Sequence, residues 1–144
     1  MKPEIKNAVI GGLAGTIVMT LMMMYVAPMM TGMPMDIAAM LGAMVGGYTM
    51  GMIAHIMMGV IVFPLAYTFV AYNFLPGSPV VRGLGFGVAL WLAAIIVVMP
   101  MAGAGFLMAN IGGMMAVMAS LMGHLVYGAL LGAIAGGSTQ AQIA

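Results

Sequence analysis

The sequence is short of charge and has no cysteine. Only 3% of its 144 residues are charged, and the net charge is +1. A soluble domain carries charge on about a quarter of its residues, so this chain lacks the polar residues to cover a water-facing surface. The small net charge excludes an electrostatic nucleic-acid surface. The absence of Cys excludes disulfides, thiolate metal sites and thiol nucleophiles.

Motifs for catalysis are also missing. The sequence contains no phosphate-binding loop, no pair of acids and no Ser-His-acid set, and Asp36 is the only acid beyond the N-terminal Glu4. These absences argue against hydrolysis and phosphoryl transfer as the chemistry of the chain. We therefore expect a protein that is not itself an enzyme.

Long hydrophobic segments are what the sequence has instead. Hydrophobic residues make up 65% of the chain, and the mean hydropathy is +1.25. About 20 apolar residues are enough for a helix to cross a bilayer. Four segments meet this length and predict an all-α polytopic membrane protein, a single transmembrane domain over residues 1–144, with helices near residues 8–27, 47–72, 80–99 and 113–136.

Breakers and caps predict the ends of these helices. Pro28 and Pro100 should each stop a helix, because proline has no N–H to donate. Asp36 and Asn110 should act as N-caps, since short polar side chains accept from free amides at helix starts. Residues 36–46 are expected to form a short surface helix.

The few positive charges predict the orientation. Lys2 and Lys6 precede the first helix, and Arg82 lies at the turn between the second and third. The positive-inside rule then places both termini and this turn in the cytoplasm.

The chain resembles a duplicated hairpin. His55-Ile-Met-Met-Gly59 in the second helix matches His124-Leu-Val-Tyr-Gly128 in the fourth, and Pro28 matches Pro100 between neighbouring residues of similar type. The offsets drift between 69 and 74 residues. The sequence therefore predicts four transmembrane helices arranged as two similar hairpins.

The two histidines are the candidate site. Ionisable side chains inside a membrane are costly and indicate function. Small residues one turn to either side predict a groove around each imidazole. Such grooves would let His55 and His124 bind one haem b, although a histidine that only joins two helices by a hydrogen bond is the alternative. The predicted cofactor-binding residues are His55, His124, Gly51, Gly59, Ser120 and Gly128.

Methionine is abundant and unevenly placed. The chain has 22 Met, and none lies between residues 59 and 98 or after residue 122. Thioether and imidazole ligands suit Cu(I), so a copper site is the second hypothesis. Methionine that only fills apolar volume is its alternative. The predicted metal ligands are His55, His124, Met114, Met118 and Met122.

Several motifs resemble a family of small bacterial inner-membrane proteins of unknown function with four helices. They are Gly-Leu-Ala-Gly-Thr at residues 12–16, His55-x-x-x-Gly59, Arg82-Gly-Leu-x-Phe-Gly87, Met99-Pro100, and His124-Leu-Val-Tyr-Gly-Ala-Leu-Leu-Gly132. The resemblance covers nearly the whole chain and implies the four-helix architecture and a bacterial inner-membrane location. It implies no established activity.

Three functions remain open from the sequence. The first is an accessory subunit of a membrane redox complex that holds haem b for electron transfer. The second is a methionine-rich protein that binds or transfers Cu(I) on the outer side, and the third is a purely structural subunit. The expected partners are the lipid bilayer and a larger membrane complex or a second copy of the chain, with no nucleic acid.

Overall fold

The computed structural model describes residues 2–136, and all regular secondary structure in this part of the chain is helical. Four helices are long and apolar enough to cross a membrane, which agrees with the architecture expected from the sequence. The protein is therefore a multi-pass membrane protein. The long helices are α1 (Ile5–Thr31), α3 (Tyr48–Phe74), α4 (Pro79–Met101) and α5 (Met114–Ala135), and α2 (Ile37–Val45) is a short helix after α1.

The bundle is organised around α5. This helix packs against both α1 and α4, and α1 also packs against the middle of α3. The short helix α2 folds back onto the first half of α3. We call the end of the bundle formed by residues 32–36 and 102–113 the loop end.

Glycines allow the helix backbones of α4 and α5 to come close. A side chain on Gly128 would collide with the backbone of Gly83, and one on Gly83 would collide with Gly128 and Gly132. Lipid provides no hydrophobic force between helices, so close backbone packing has to hold such a bundle together. The small-residue faces of α4 and α5 are therefore in direct contact.

Prolines lie inside the helices and do not end them. Pro28, Pro64 and Pro100 each follow a π-helical turn, at Met22–Val26, Met58–Val62 and Ala94–Val98. The prediction that Pro28 and Pro100 stop their helices was wrong, since α1 continues to Thr31 and α4 to Met101. A wider turn takes up the missing N–H and the bulk of the proline ring.

The two expected N-caps have different outcomes. The Asp36 carboxylate accepts a hydrogen bond from the Ala39 amide at 3.0 Å, and α2 starts there as predicted. Asn110 does not cap α5; its side-chain amide donates to the Gly103 carbonyl at 3.1 Å. Gly112 and Gly113, both with positive φ, separate Asn110 from the helix and delay its start.

Candidate functional site

A cavity of about 270 Å³ lies inside the bundle and is lined by residues from all four long helices. His55 of α3 and His124 of α5 both line it. The structure therefore brings the two histidines, which are 69 residues apart in the sequence, to one shared cavity.

Methionine is the commonest residue in the cavity wall. Thioethers approach it from α1, α2, α3, α4 and both loops of the loop end. Next to His124, a Cβ placed on Gly123 would lie 2.9 Å from the Met23 methyl carbon and 3.3 Å from Met19 Cγ. The seven methionines that line the cavity are Met19, Met23, Met35, Met40, Met58, Met99 and Met108.

The protonation of His124 follows from its hydrogen bond. Nδ1 lies 2.8 Å from the Ser120 carbonyl oxygen, one turn earlier on α5. A carbonyl can only accept, so Nδ1 carries the proton and donates it. In the neutral ring this leaves Nε2 with a free lone pair. Imidazoles that bind metals are commonly oriented in this way, by a carbonyl acting on the other ring nitrogen.

His55 is oriented by a threonine of α1. Its Nε2 lies 2.9 Å from Thr20 Oγ1. The Thr20 hydroxyl donates its one proton to the Thr16 carbonyl at 2.7 Å, so the threonine oxygen accepts from His55 Nε2–H. The neutral ring then has its lone pair on Nδ1, and each histidine keeps one nitrogen able to bind a ligand.

A tyrosine completes the polar part of the wall. Tyr127 of α5 donates to the Gly59 carbonyl at 2.6 Å. Pro64 follows Gly59 by five residues and has no N–H, so the π-helical turn cannot supply a donor to this carbonyl. The Tyr127 hydroxyl replaces that donor from another helix.

Comparison of the sequence with known protein families assigns the chain to one of them. The model of a family of unknown function, DUF6789, matches residues 3–143. The chain belongs to this family. The match bears out the resemblance to a family of unknown function. No curated protein and no solved structure matches the chain, so membership of DUF6789 brings no activity with it.

Some predicted site residues do not form the expected grooves. Gly51 packs against Ala38 and Gly42 of α2, and Gly128 packs against Gly83 of α4. Protein backbone therefore lies directly against both glycines, whereas the sequence predicted room for a flat cofactor beside them. Gly59 and Ser120 do line the cavity; Gly59 also packs against the Thr16 side chain.

The predicted methionine ligands lie elsewhere. Met114, Met118 and Met122 are 62%, 45% and 41% exposed and do not line the cavity. They are on the outside of α5, where methionine serves as apolar surface. The structure therefore does not bring these three thioethers together with His55 and His124.

Sequence reasoning missed other members of the wall. Tyr127, Met35 and Met108 line the cavity but were not predicted as site residues. Thr20, which hydrogen-bonds His55 without lining the cavity, was not predicted either. Thr20 lies four residues after Thr16 on one face of α1, a spacing that could have indicated a polar patch facing a histidine. Within residues 2–136, no three His, Cys, Asp or Glu side chains gather as a conventional metal site.

Proposed function

We propose that this protein binds one Cu(I) ion inside the membrane, using His55, His124 and the cavity methionines that lie on helices α1 to α4, and that it holds or transfers this ion. The observation that carries the proposal is the shared cavity, in which two imidazoles and seven methionines form one wall. Thioethers and imidazoles are the neutral, soft ligands that select Cu(I) over harder metals.

The charge of the wall supports a monovalent ion. None of the residues lining the cavity within the described chain is acidic, and the Asp36 carboxylate is engaged with a backbone amide at the start of α2. A divalent ion such as Zn²⁺ would bring two uncompensated charges into a medium of low dielectric. A single charge shared among neutral, polarizable ligands costs less to bury.

The hydrogen bonds of the histidines support the same proposal. His124 Nδ1–H is held by the Ser120 carbonyl, and His55 Nε2–H is held by Thr20. Both rings are thereby fixed before any metal binds, and each presents one lone pair. Preorganised ligands lose less conformational entropy on binding.

Haem b held between the same two histidines is the second candidate. The hydrogen bond from His124 Nδ1–H to the Ser120 carbonyl supports haem binding. A histidine that is an axial ligand of haem is oriented by the same kind of hydrogen bond on its other ring nitrogen. The size of the cavity favours the copper ion, because about 270 Å³ is below the roughly 300–1,000 Å³ typical of pockets for drug-sized ligands.

Anaerobic titration with Cu(I) in the presence of a colorimetric chelator tests the proposal. Purified full-length protein in detergent should retain one Cu(I) per chain after free metal is removed, as measured by elemental analysis. His55→Asn and His124→Asn should each weaken the binding by about tenfold or more. Gel filtration and circular dichroism check that each variant is folded.

The exposed methionines of α5 provide the matched control. A variant with Met114, Met118 and Met122 all changed to Leu should bind Cu(I) as the wild type does, while Met19→Leu with Met23→Leu should bind it more weakly. No retained Cu(I) on folded wild-type protein would overturn the proposal. A Soret band from protein made in haem-replete cells, lost in both histidine variants, would favour haem b instead.

A further inference from the structure

Two methionines enter the cavity from the segments that connect the long helices, and Met108 is the last residue of a single 3₁₀ turn, Phe106–Met108. Met35 precedes α2 and Met108 precedes α5, and both line the cavity at its loop end. Their side chains are 5% and 0% exposed. The neighbouring Met33 and Met101 are 50% and 68% exposed, so burial distinguishes the first pair from other methionines of the same region.

The positions of the pair fit the predicted duplication of the chain. Met35 and Met108 are 73 residues apart, within the offset range that relates the two hairpins. Each hairpin thus contributes one loop methionine to the same end of the cavity. The histidines lie deeper: His124 is ten residues into α5, about 15 Å from its start.

Met35 is tied to the cavity through the backbone. Its N–H donates to the Met23 carbonyl at 3.0 Å. That carbonyl belongs to the π-helical turn of α1, and the residue five positions later is Pro28, which has no N–H to give it. The loop therefore closes over α1 at the point where the helix leaves a carbonyl free.

Met108 is held in a strained conformation. Leu107 and Met108 have φ values of 48° and 56°, in the left-handed region that residues with side chains rarely adopt. Residues with side chains adopt this conformation at a cost in free energy, and strain of this kind is concentrated at functional sites. Withdrawing Met108 from the cavity would relieve this backbone strain. The strain therefore lowers the free energy needed to open the loop.

We propose that Met35 and Met108 are a gate that admits Cu(I) at the loop end and passes it to His55 and His124. This inference rests on the proposed Cu(I) site. The ion moves by exchange of one thioether ligand for the next, so its oxidation state does not change and no proton is transferred. The gate methionines act on the rate of entry, whereas the histidines and deeper methionines set the affinity.

Stopped-flow measurement of Cu(I) transfer from a coloured chelator complex to the full-length protein tests the gate. Met35→Leu combined with Met108→Leu keeps the apolar volume nearly unchanged and removes both sulfur atoms. We expect uptake about tenfold slower than wild type, with the same final occupancy. The matched control is Met33→Leu combined with Met101→Leu, which should take up Cu(I) at the wild-type rate.

The outcomes separate the gate from the site. Equal rates in the two double variants, with full occupancy in both, would overturn the gate and leave the Cu(I) site standing. A lower final occupancy in Met35→Leu with Met108→Leu would make the two residues ligands of the site and would also overturn the gate. No uptake by the wild type would overturn both proposals.

Discussion

Replacing Tyr127 with Phe removes a single hydroxyl from the centre of the bundle. This hydroxyl donates to the Gly59 carbonyl at 2.6 Å, which cannot receive a helix bond from Pro64. A buried carbonyl left without a donor costs about 1–3 kcal/mol, whereas hydrogen bonds between membrane helices average about 0.6 and reach about 1.7 kcal/mol. Because Gly59 has lost its helical donor, we expect a value near the upper limit, about 1.5 kcal/mol of unfolding free energy.

A double-mutant cycle with Pro64→Ala tests the physical reason. Alanine restores an N–H on α3 that can bond within the helix, so Tyr127→Phe should cost less than about 0.5 kcal/mol in that background. Unfolding by SDS in mixed micelles, followed by circular dichroism, measures all four proteins. Tyr67→Phe is the control. It also removes one tyrosine hydroxyl, but this hydroxyl donates to the Pro79 carbonyl of α4 and not to the Gly59 carbonyl. Equal costs of Tyr127→Phe in the two backgrounds would refute the reasoning.

Three other changes have defined outcomes. Gly128→Ala should lower the unfolding free energy by about 1–3 kcal/mol, because its methyl would meet the Gly83 backbone; an unchanged SDS midpoint would contradict this packing. Asp36→Ala should cost about 1 kcal/mol through loss of the N-cap of α2, and Asp36→Asn should restore most of it. Thr20→Val should weaken Cu(I) binding about tenfold, because the His55 ring loses the hydroxyl that orients it. Thr20→Ser keeps that hydroxyl and should bind Cu(I) as the wild type does. Equal Cu(I) affinities of the two variants would show that Thr20 does not position His55.

The sequence predicted the helices well but missed how they continue through proline. Pro28 has the sequence context of a helix end, yet α1 extends to Thr31. A π-helical turn widens the helix before the proline, and the Met35 N–H takes up the carbonyl that is left free. Such a partner comes from a loop folding back in space, which local sequence rules do not describe.

The candidate site was only partly predictable. Rarity identified His55 and His124, because ionisable side chains in a membrane are costly. The methionines could not be sorted in the same way. Within the described residues, eleven methionines, including Met114 and Met118, have exposed side chains, whereas Met108 is fully buried. The residue type is the same in both groups, so the sequence alone does not separate them.

The sequence by itself determined that the chain crosses a membrane four times, because span length and hydropathy are sums over local residues. It also determined which two side chains are chemically unusual. Only the tertiary structure decided which thioethers surround them. These helices are apolar on every side, so no hydrophobic stripe marks the inward face. That face is chosen by glycine contacts such as Gly83 with Gly128, and this choice turns Met23 toward the histidines and leaves Met118 outside.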